Sequence, residues 1–139
     1  MLITSKGRYA LRVMVDLAEH RSGSFIPVKE IAQRQEISQK YLERIMLQLA
    51  KVGLIEGAHG KGGGYRLTRE PAEYSAGEIL RQAEGSLSCL GEGAQLDARE
   101  AASRTAAVWR ELDARVAGYL DNVTLESLME GDAADDYVI

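Results

Sequence analysis

Apolar residues recur at helical spacing in three stretches of the first fifty residues. This pattern predicts helices over residues 5–21, 28–35 and 39–52. Ser38 stands where an N-cap of the third helix is expected, as Ser5 does for the first. Gly53 follows the third helix at the position where a left-handed residue commonly ends one. The first third of the chain is therefore predicted to be three short helices, the last two joined by a tight turn.

A β-hairpin is predicted directly after the third helix. Residues 54–56 and 65–67 have strand composition, and the glycine-rich stretch 57–64 lies between them as a flexible tip. Helix, turn, helix and hairpin in this order are typical of a winged helix-turn-helix, which places one helix in the major groove of DNA and the hairpin beside it. A nucleotide-binding loop is not favoured, because these glycines lead into a strand and not into a helix.

The sequence of the second half predicts further helices and an interface between subunits. Ser75 and Glu78 form a capping box for a helix to about residue 83, and a long helix is predicted over 98–119. Its apolar seam, with little else in the chain to cover it, favours a homodimer, and packing on its own domain is the alternative. Thr124 is predicted to cap a last short helix through residue 129. The expected fold class is mainly α with a small β-hairpin, namely a winged helix-turn-helix with a long C-terminal dimerisation helix.

Charge divides the chain into a basic and an acidic half. The net charge is −4, yet residues 1–70 hold 12 Lys and Arg against 7 Asp and Glu, a net of +5. Residues 71–139 hold 5 against 14, a net of −9. We therefore expect a DNA-binding domain over 1–70, a linker helix and dimerisation helices over 71–129, and an acidic tail over 130–139. Uneven surface charge without function is the alternative.

Several other classes of protein are not favoured. The sequence has no apolar run of membrane-spanning length and no signal-peptide pattern, and its single cysteine excludes an internal disulfide, so a cytosolic location is expected. No Cys and His set has metal-ligand spacing, and no catalytic set is apparent. We expect no enzyme activity and no cofactor. Cys89 is a candidate redox thiol, although a lone cysteine is more often inert.

Candidate DNA contacts fall on the third helix, the hairpin tip and the starts of other helices. Polar side chains in the first turns of a recognition helix contact base edges, while hydroxyls and cations contact phosphates. The alternatives are an ordinary solvated helix face and, for one tyrosine, a place in the core. The candidates are Lys6, Arg8, Lys29, Ser38, Gln39, Lys40, Tyr41, Glu43, Arg44, His59, Gly60, Lys61, Gly62 and Gly63.

Four segments in order resemble one family of bacterial transcription regulators. They are TSKGRYALRVMVDLA (4–18), ISQKYLERI (37–45), KVGLIEGAHGKGGGYRL (51–67) and VWRELDARVAGYLDNVTLESL (108–128). Together they resemble the Rrf-two (Rrf2) family over nearly the whole chain. The resemblance implies dimeric winged-helix repressors of double-stranded DNA whose long helix crosses to the partner subunit.

The chain departs from the cluster-binding members of that family. Those members hold an iron–sulfur cluster through three cysteines before the Trp of the VW motif. Counted back from Trp109, the positions to compare carry Gly91, Asp97, Ser103 and Ala106, and none of these is a cysteine. Nor does Arg8 resemble the acidic ligand of the nitric-oxide-sensing branch. One cysteine does not supply the thiolates that a cluster needs, so no cluster is expected. The wing also carries His59 where the family usually has Arg, which predicts weaker or pH-dependent insertion into the minor groove.

The remaining resemblance is to the cluster-free branch that represses cysteine-metabolism genes. Members of that branch act with the biosynthetic enzyme O-acetylserine sulfhydrylase (cysteine synthase), which accepts partner C-termini ending in isoleucine. The end of this sequence, Asp136, Tyr137, Val138 and Ile139, is similar to such a tail, so this enzyme is the expected partner. The alternatives are a thiol-redox-responsive repressor that uses Cys89, or an iron–sulfur-family regulator that has lost its cluster and controls other genes.

Overall fold

Six α-helices and one hairpin make up the part of the chain that the structure describes. The computed structural model describes residues 3–91 and 93–129, so the predicted partner-binding residues Asp136–Ile139 lie outside it. The elements are α1 (Ser5–Glu19), α2 (Val28–Gln35), α3 (Gln39–Lys51), β1 (Ile55–Ala58), β2 (Gly64–Leu67), α4 (Ala76–Glu84), α5 (Ala98–Ala101) and α6 (Ala106–Leu120), with 3₁₀ turns at Pro71–Glu73 and Glu126–Leu128. The predicted fold class, mainly α with a small hairpin, is confirmed.

The start of α1 is capped from a distant part of the chain. Ser5 is the first helical residue, and the preceding Thr4 makes no side-chain cap bond, so the predicted Ser5 cap is wrong. The Glu84 carboxylate, at the end of α4, accepts hydrogen bonds from the N–H groups of Thr4 (3.2 Å) and Gly7 (2.9 Å) instead. A side chain at position 7 would collide with that carboxylate. α1 also ends at Glu19, two residues before the predicted end.

The helix-turn-helix follows the predicted boundaries closely. α2 covers the predicted residues, and Glu36 makes the turn with a left-handed φ of 54°. The Ser38 hydroxyl accepts from the N–H of Tyr41 at 3.2 Å, so the predicted cap of α3 is confirmed. Gly53, with φ +81°, follows α3 as predicted. The apolar faces of these helices form one core with the hairpin and α4; its largest fully buried members include Met14, Leu17, Ile31, Leu42, Met46, Leu49, Leu54, Ile55, Ile79 and Leu125.

The hairpin is longer than predicted and is joined to the segment before α2. β1 and β2 pair antiparallel from Ile55 opposite Leu67 to Ala58 opposite Gly64, because the glycines near the tip still form ladder pairs. On the outer edge of β2, Tyr65 and Ile26 exchange two backbone hydrogen bonds of 2.8 and 2.9 Å. Gly64 has φ +141°, and a Cβ there would collide with the Ile26 carbonyl. Glycine is therefore required at this crossing.

The predicted continuous helix over 98–119 is wrong, because the chain breaks between α5 and α6. The Ser103 hydroxyl donates to the carbonyl of Glu100 (2.7 Å) and lies 2.7 Å from the Thr105 hydroxyl. Such side-chain bonds compete with the helical ladder. The predicted last helix is likewise reduced to the 3₁₀ turn Glu126–Leu128, whose N-cap is Leu125 and not the predicted Thr124. The Thr124 hydroxyl accepts from the Ser127 N–H at 3.1 Å. Within the described ranges, every helix is too short or too polar to cross a bilayer.

Candidate nucleic-acid interface

A buried carboxylate fixes the helix-turn-helix against α1. Asp16 is 1% exposed, and its carboxylate accepts from Arg34 Nε (3.0 Å) and Nη2 (2.8 Å) and from Gln35 Nε2 (2.9 Å). The pKa of Arg34 is raised, chiefly by this hydrogen bond. The bonds hold the end of α2, and with it the turn into α3. Sequence reasoning missed this residue, although a carboxylate between Val13 and Leu17 on an apolar stripe was a usable signal.

The predicted recognition helix presents its polar side chains outward. Gln39, Lys40, Glu43 and Arg44 are exposed on the first turns of α3, and Gln39 Nε2 lies 3.3 Å from Glu43 Oε1. Tyr41 is half-buried, with its ring edge-on to Tyr9 at 5.8 Å between centroids. The tyrosine therefore has a packing role that the alternative interpretation anticipated.

One cleft, of about 650 Å³, lies between α3 and the hairpin. Gln39 and Glu43 line it from α3, Lys29 from α2, and His59 and Tyr65 from the hairpin. The pKa of Tyr65 is raised first by burial and then by the negative charge of Glu43. The recognition helix and the wing thus face each other across a common groove, as a winged helix-turn-helix requires.

A second, smaller cleft lies on the other side of α3. It has a volume of about 240 Å³, and Lys6 at the start of α1 lines it together with Tyr41, Arg44 and Gln48. Arg8 is not brought to this side. It lines a groove on α1 with Leu11, and its guanidinium donates to the Ile3 carbonyl at 2.9 Å.

The hairpin tip presents backbone and two basic side chains. His59, Gly60, Lys61 and Gly62 are exposed and Gly63 is half-buried. Gly60 and Gly62 have φ of +82° and +80°, which strains any other residue. The Gly63 N–H donates to the Gly60 carbonyl at 3.0 Å and closes the turn.

Positive side chains of the first half fall into two groups. Four arginines are neutralised by carboxylates, in the pairs Arg21–Glu70, Arg34–Asp16, Arg66–Glu56 and Arg69–Glu78. A second group forms no ion pair with any carboxylate in residues 3–91 and 93–129. It consists of Lys6, Arg8, Arg12, Lys29, Lys40, Arg44, Lys51 and Lys61. Lys6, Lys29 and Arg44 line the two clefts, Lys40 is exposed on α3, and Lys61 is exposed on the hairpin tip. The other three lie elsewhere, Arg8 and Arg12 on the groove of α1 and Lys51 at the end of α3.

Cys89 lies in a loop that is held to α6 by Asp113. The Asp113 carboxylate accepts from the Cys89 N–H (2.7 Å) and the Ser88 hydroxyl (3.1 Å), and the backbone bond lowers its pKa. This contribution to stability is present above the ordinary carboxyl pKa and is lost as the pH falls. The pKa of the Cys89 thiol is raised, first by burial and then by Asp113. Thiolate is therefore scarce at neutral pH, which does not favour Cys89 as a redox sensor.

Comparisons with known proteins point to one family. The Rrf2 family model, described as an iron-dependent transcriptional regulator, matches residues 3–131. The HTH-type transcriptional regulator IscR of Aliivibrio salmonicida is 39% identical over 133 residues, which are 93% of this chain and 77% of the relative. IscR of Serratia proteamaculans is 38% identical over 133 residues, with 93% and 79% covered.

Similar solved structures include CymR and IscR proteins. CymR, the global cysteine regulator of B. subtilis, has a TM-score of 0.78 and 34% identity over 92% of this chain and 95% of its own. IscR of T. potens has a TM-score of 0.73 and 32% identity, covering 98% and 88%. The oxidized form of Staphylococcus aureus CymR has a TM-score of 0.72 and 35% identity, covering 94% and 97%.

The side chains before Trp109 do not fit an iron–sulfur cluster. Cys89 supplies the only thiol in the sequence. Its backbone N–H and the Ser88 hydroxyl donate hydrogen bonds to the Asp113 carboxylate. Within residues 3–91 and 93–129, no three His, Cys, Asp or Glu side chains are grouped to hold a metal ion. Protein-bound clusters require several thiolates. We therefore assign no step of the mechanism to iron.

Proposed function

We propose that this chain, since it belongs to the Rrf2 family of DNA-binding transcription regulators, acts as a cytosolic homodimeric repressor that contacts DNA through α3 and the hairpin. The family and the relatives named above are transcription regulators and not enzymes. The observation that carries the DNA interface is the distribution of cations. Among the cations without an ion pair in the described residues, Lys6, Lys29, Lys40, Arg44 and Lys61 lie on or beside α3 and on the hairpin tip, where their charge is available for phosphates.

The homodimer is supported by the exposed apolar stripe of α6. Val108 (55%), Trp109 (37%), Leu112 (41%) and Tyr119 (71%) are exposed along it, and Ala106 is the only fully buried residue of this helix. An apolar groove lined by Leu11, Val15 and Leu128 lies on α1. A second copy would cover both surfaces. Two recognition helices would then meet half-sites one DNA turn apart, about 34 Å.

Replacing Arg44 or Lys40 with Ala is expected to weaken operator binding by about 1–3 kcal/mol for a base-contacting side chain. Loss of a side chain that contacts a phosphate would instead weaken binding to all DNA sequences alike and lower the salt dependence of that binding. Titration of operator and scrambled duplexes at several fixed salt concentrations measures both effects. Arg99→Ala, on α5, is the control. If Arg44→Ala and Lys40→Ala both bind as Arg99→Ala does, α3 is not the recognition helix.

We further propose cysteine or sulfur metabolism as the regulated process. The support is the similarity to the B. subtilis cysteine regulator together with the single thiol, which does not fit a cluster. The IscR relatives support the family but carry the name of an iron–sulfur regulator. Identification of the bound promoters by chromatin immunoprecipitation distinguishes control of cysteine or sulfur metabolism from control of iron–sulfur genes. Binding confined to iron–sulfur assembly genes would exclude the proposal.

O-acetylserine sulfhydrylase is the proposed protein partner, through Asp136, Tyr137, Val138 and Ile139. This proposal rests on the sequence alone, since these residues lie outside the described ranges. Deleting residues 137–139 is expected to abolish calorimetric binding of the enzyme while the regulator keeps its oligomeric state. Burial of an isoleucine side chain contributes about 2 kcal/mol to such a contact. Asp132→Ala is the control, and equal affinity of the deletion variant and this control would refute the proposed partner contact.

A further inference from the structure

Tyr74 is the most deeply buried tyrosine of the described residues and does not belong to the DNA interface itself. It follows the 3₁₀ turn Pro71–Glu73, is 1% exposed and packs within the main core. A buried tyrosine hydroxyl usually has hydrogen-bond partners, and those partners indicate what the residue does.

The Tyr74 hydroxyl joins the two ends of the hairpin. It accepts from the N–H groups of Thr68 and Arg69, each at 3.0 Å, and donates to the Leu54 carbonyl at 2.7 Å. Leu54 directly precedes β1, and Thr68 directly follows β2. The hydroxyl therefore closes the hairpin beyond its last ladder pair, Ile55 and Leu67, and all its hydrogen-bonding capacity is used there.

A hairpin of this size needs such support. Each strand has four residues, and an isolated two-stranded hairpin is marginally stable in water. The Ile26 bridge holds the outer edge of β2, near the tip. Tyr74 holds the base, where the hairpin leaves the core. The direction of the wing relative to α3 depends on both attachments.

Tyr74 is in turn fixed by the segment that follows α6. Its carbonyl accepts from the Leu125 N–H at 3.1 Å, and the nearby Ala76 N–H donates to the Val123 carbonyl at 2.7 Å. On the other side, the Arg69 guanidinium lies 4.6 Å from the ring centroid. The hydroxyl is thus a fixed point to which the hairpin is attached.

We infer that Tyr74 is a positioning residue, whose hydroxyl sets the direction of the hairpin and thereby its contact with DNA. The inference rests on the proposed DNA interface. Because the side chain is buried, its effect on binding passes through the hairpin and not through a contact of its own. Removal of the hydroxyl leaves the N–H groups of Thr68 and Arg69 without this partner. The hydroxyl of Thr68, which lies 2.9 Å from the Gly53 carbonyl and 3.2 Å from the Leu54 carbonyl, then remains as the link at the base of the hairpin, and the hairpin is less firmly held in direction.

The test is a double-mutant cycle between Tyr74→Phe and Lys61→Ala at the hairpin tip. Tyr74→Phe is expected to lower operator affinity about three- to tenfold and to reduce the effect of Lys61→Ala, since the tip no longer meets its phosphate. Ser75→Ala is the matched control. It removes one hydrogen bond at the neighbouring residue, which the Glu78 N–H donates to the Ser75 hydroxyl, and it removes no hydrogen bond of the hairpin. Its effect and that of Lys61→Ala are expected to be additive.

A second measurement separates failure of the inference from failure of the interface. In the unbound protein, amide hydrogen exchange of residues 55–69 is expected to accelerate in Tyr74→Phe and to stay unchanged in Ser75→Ala. Unchanged hydrogen exchange in Tyr74→Phe would overturn the role of Tyr74. So would a cycle in which Lys61→Ala clearly lowers operator affinity and the effects of the two substitutions are fully additive. If Lys61→Ala alone has no effect, the proposed wing contact is wrong, and the exchange result still decides whether Tyr74 holds the hairpin.

Discussion

Replacing Leu112 with Glu is expected to yield a monomer that has lost most of its operator affinity. Leu112 is 41% exposed at the middle of the apolar stripe of α6. A carboxylate there would be buried without a partner in a homodimer, which costs several kcal/mol. Because two linked half-site contacts exceed one by about 10²–10⁴-fold in affinity, the monomer is expected to lose that factor. Analytical ultracentrifugation and operator titration measure the two effects.

Ala114→Glu is the matched control for that experiment. It adds the same charge to α6 two residues later, about 200° around the helix and away from the stripe. It is expected to stay dimeric and to bind the operator normally. A Leu112→Glu protein that sediments as the wild type does would instead support the alternative, in which α6 packs only on its own domain.

Replacing Asp16 with Ala is expected to lower the free energy of unfolding by about 2–4 kcal/mol. The side chain of Asp16 is fully buried, and its loss leaves Arg34 and Gln35 without their common acceptor. Arg34 is 32% exposed and regains part of its hydration, so the loss is expected to stay below that of a completely buried pair. Urea denaturation followed by circular dichroism measures the difference.

Glu30→Ala is the control, because Glu30 lies 3.8 Å from the same arginine but is exposed. An exposed ion pair contributes about 0–1 kcal/mol. Similar losses for Glu30→Ala and Asp16→Ala would mean that the buried network contributes little to the attachment of α2.

Local signals predicted most of the helix-turn-helix. The periodicity of α2 and α3, the Ser38 cap and Gly53 act within a few residues, and the structure confirms each. The sequence could not predict the capping of α1 by Glu84, because that contact spans 77 residues in the chain. The apolar spacing gives no sign of the break between α5 and α6, because it continues through residues 98–119, whereas the hydroxyls of Ser103 and Thr105 compete with the helical hydrogen bonds there.

The candidate site was predicted as a set of residues, and the structure adds how they are arranged. Gln39 and Glu43 of α3 face one cleft together with His59 of the hairpin tip, and Lys6 joins Arg44 at another. Arg8 lies elsewhere, since two residues along a helix turn a side chain by about 200°. Asp16 escaped sequence reasoning because its partners lie 18 and 19 residues away, and Tyr74 because its hydroxyl joins segments that lie 5, 6 and 20 residues before it.

The crossing of Gly64 over the Ile26 carbonyl has a consequence for the DNA itself. It ties the hairpin to the residues that lead into α2, so in the proposed complex the protein sets the distance between the bases under α3 and the flanking groove under the wing. One base pair inserted between these two parts of an operator would move them apart by about 3.4 Å. Such an insertion is therefore expected to deprive the protein of one contact or the other.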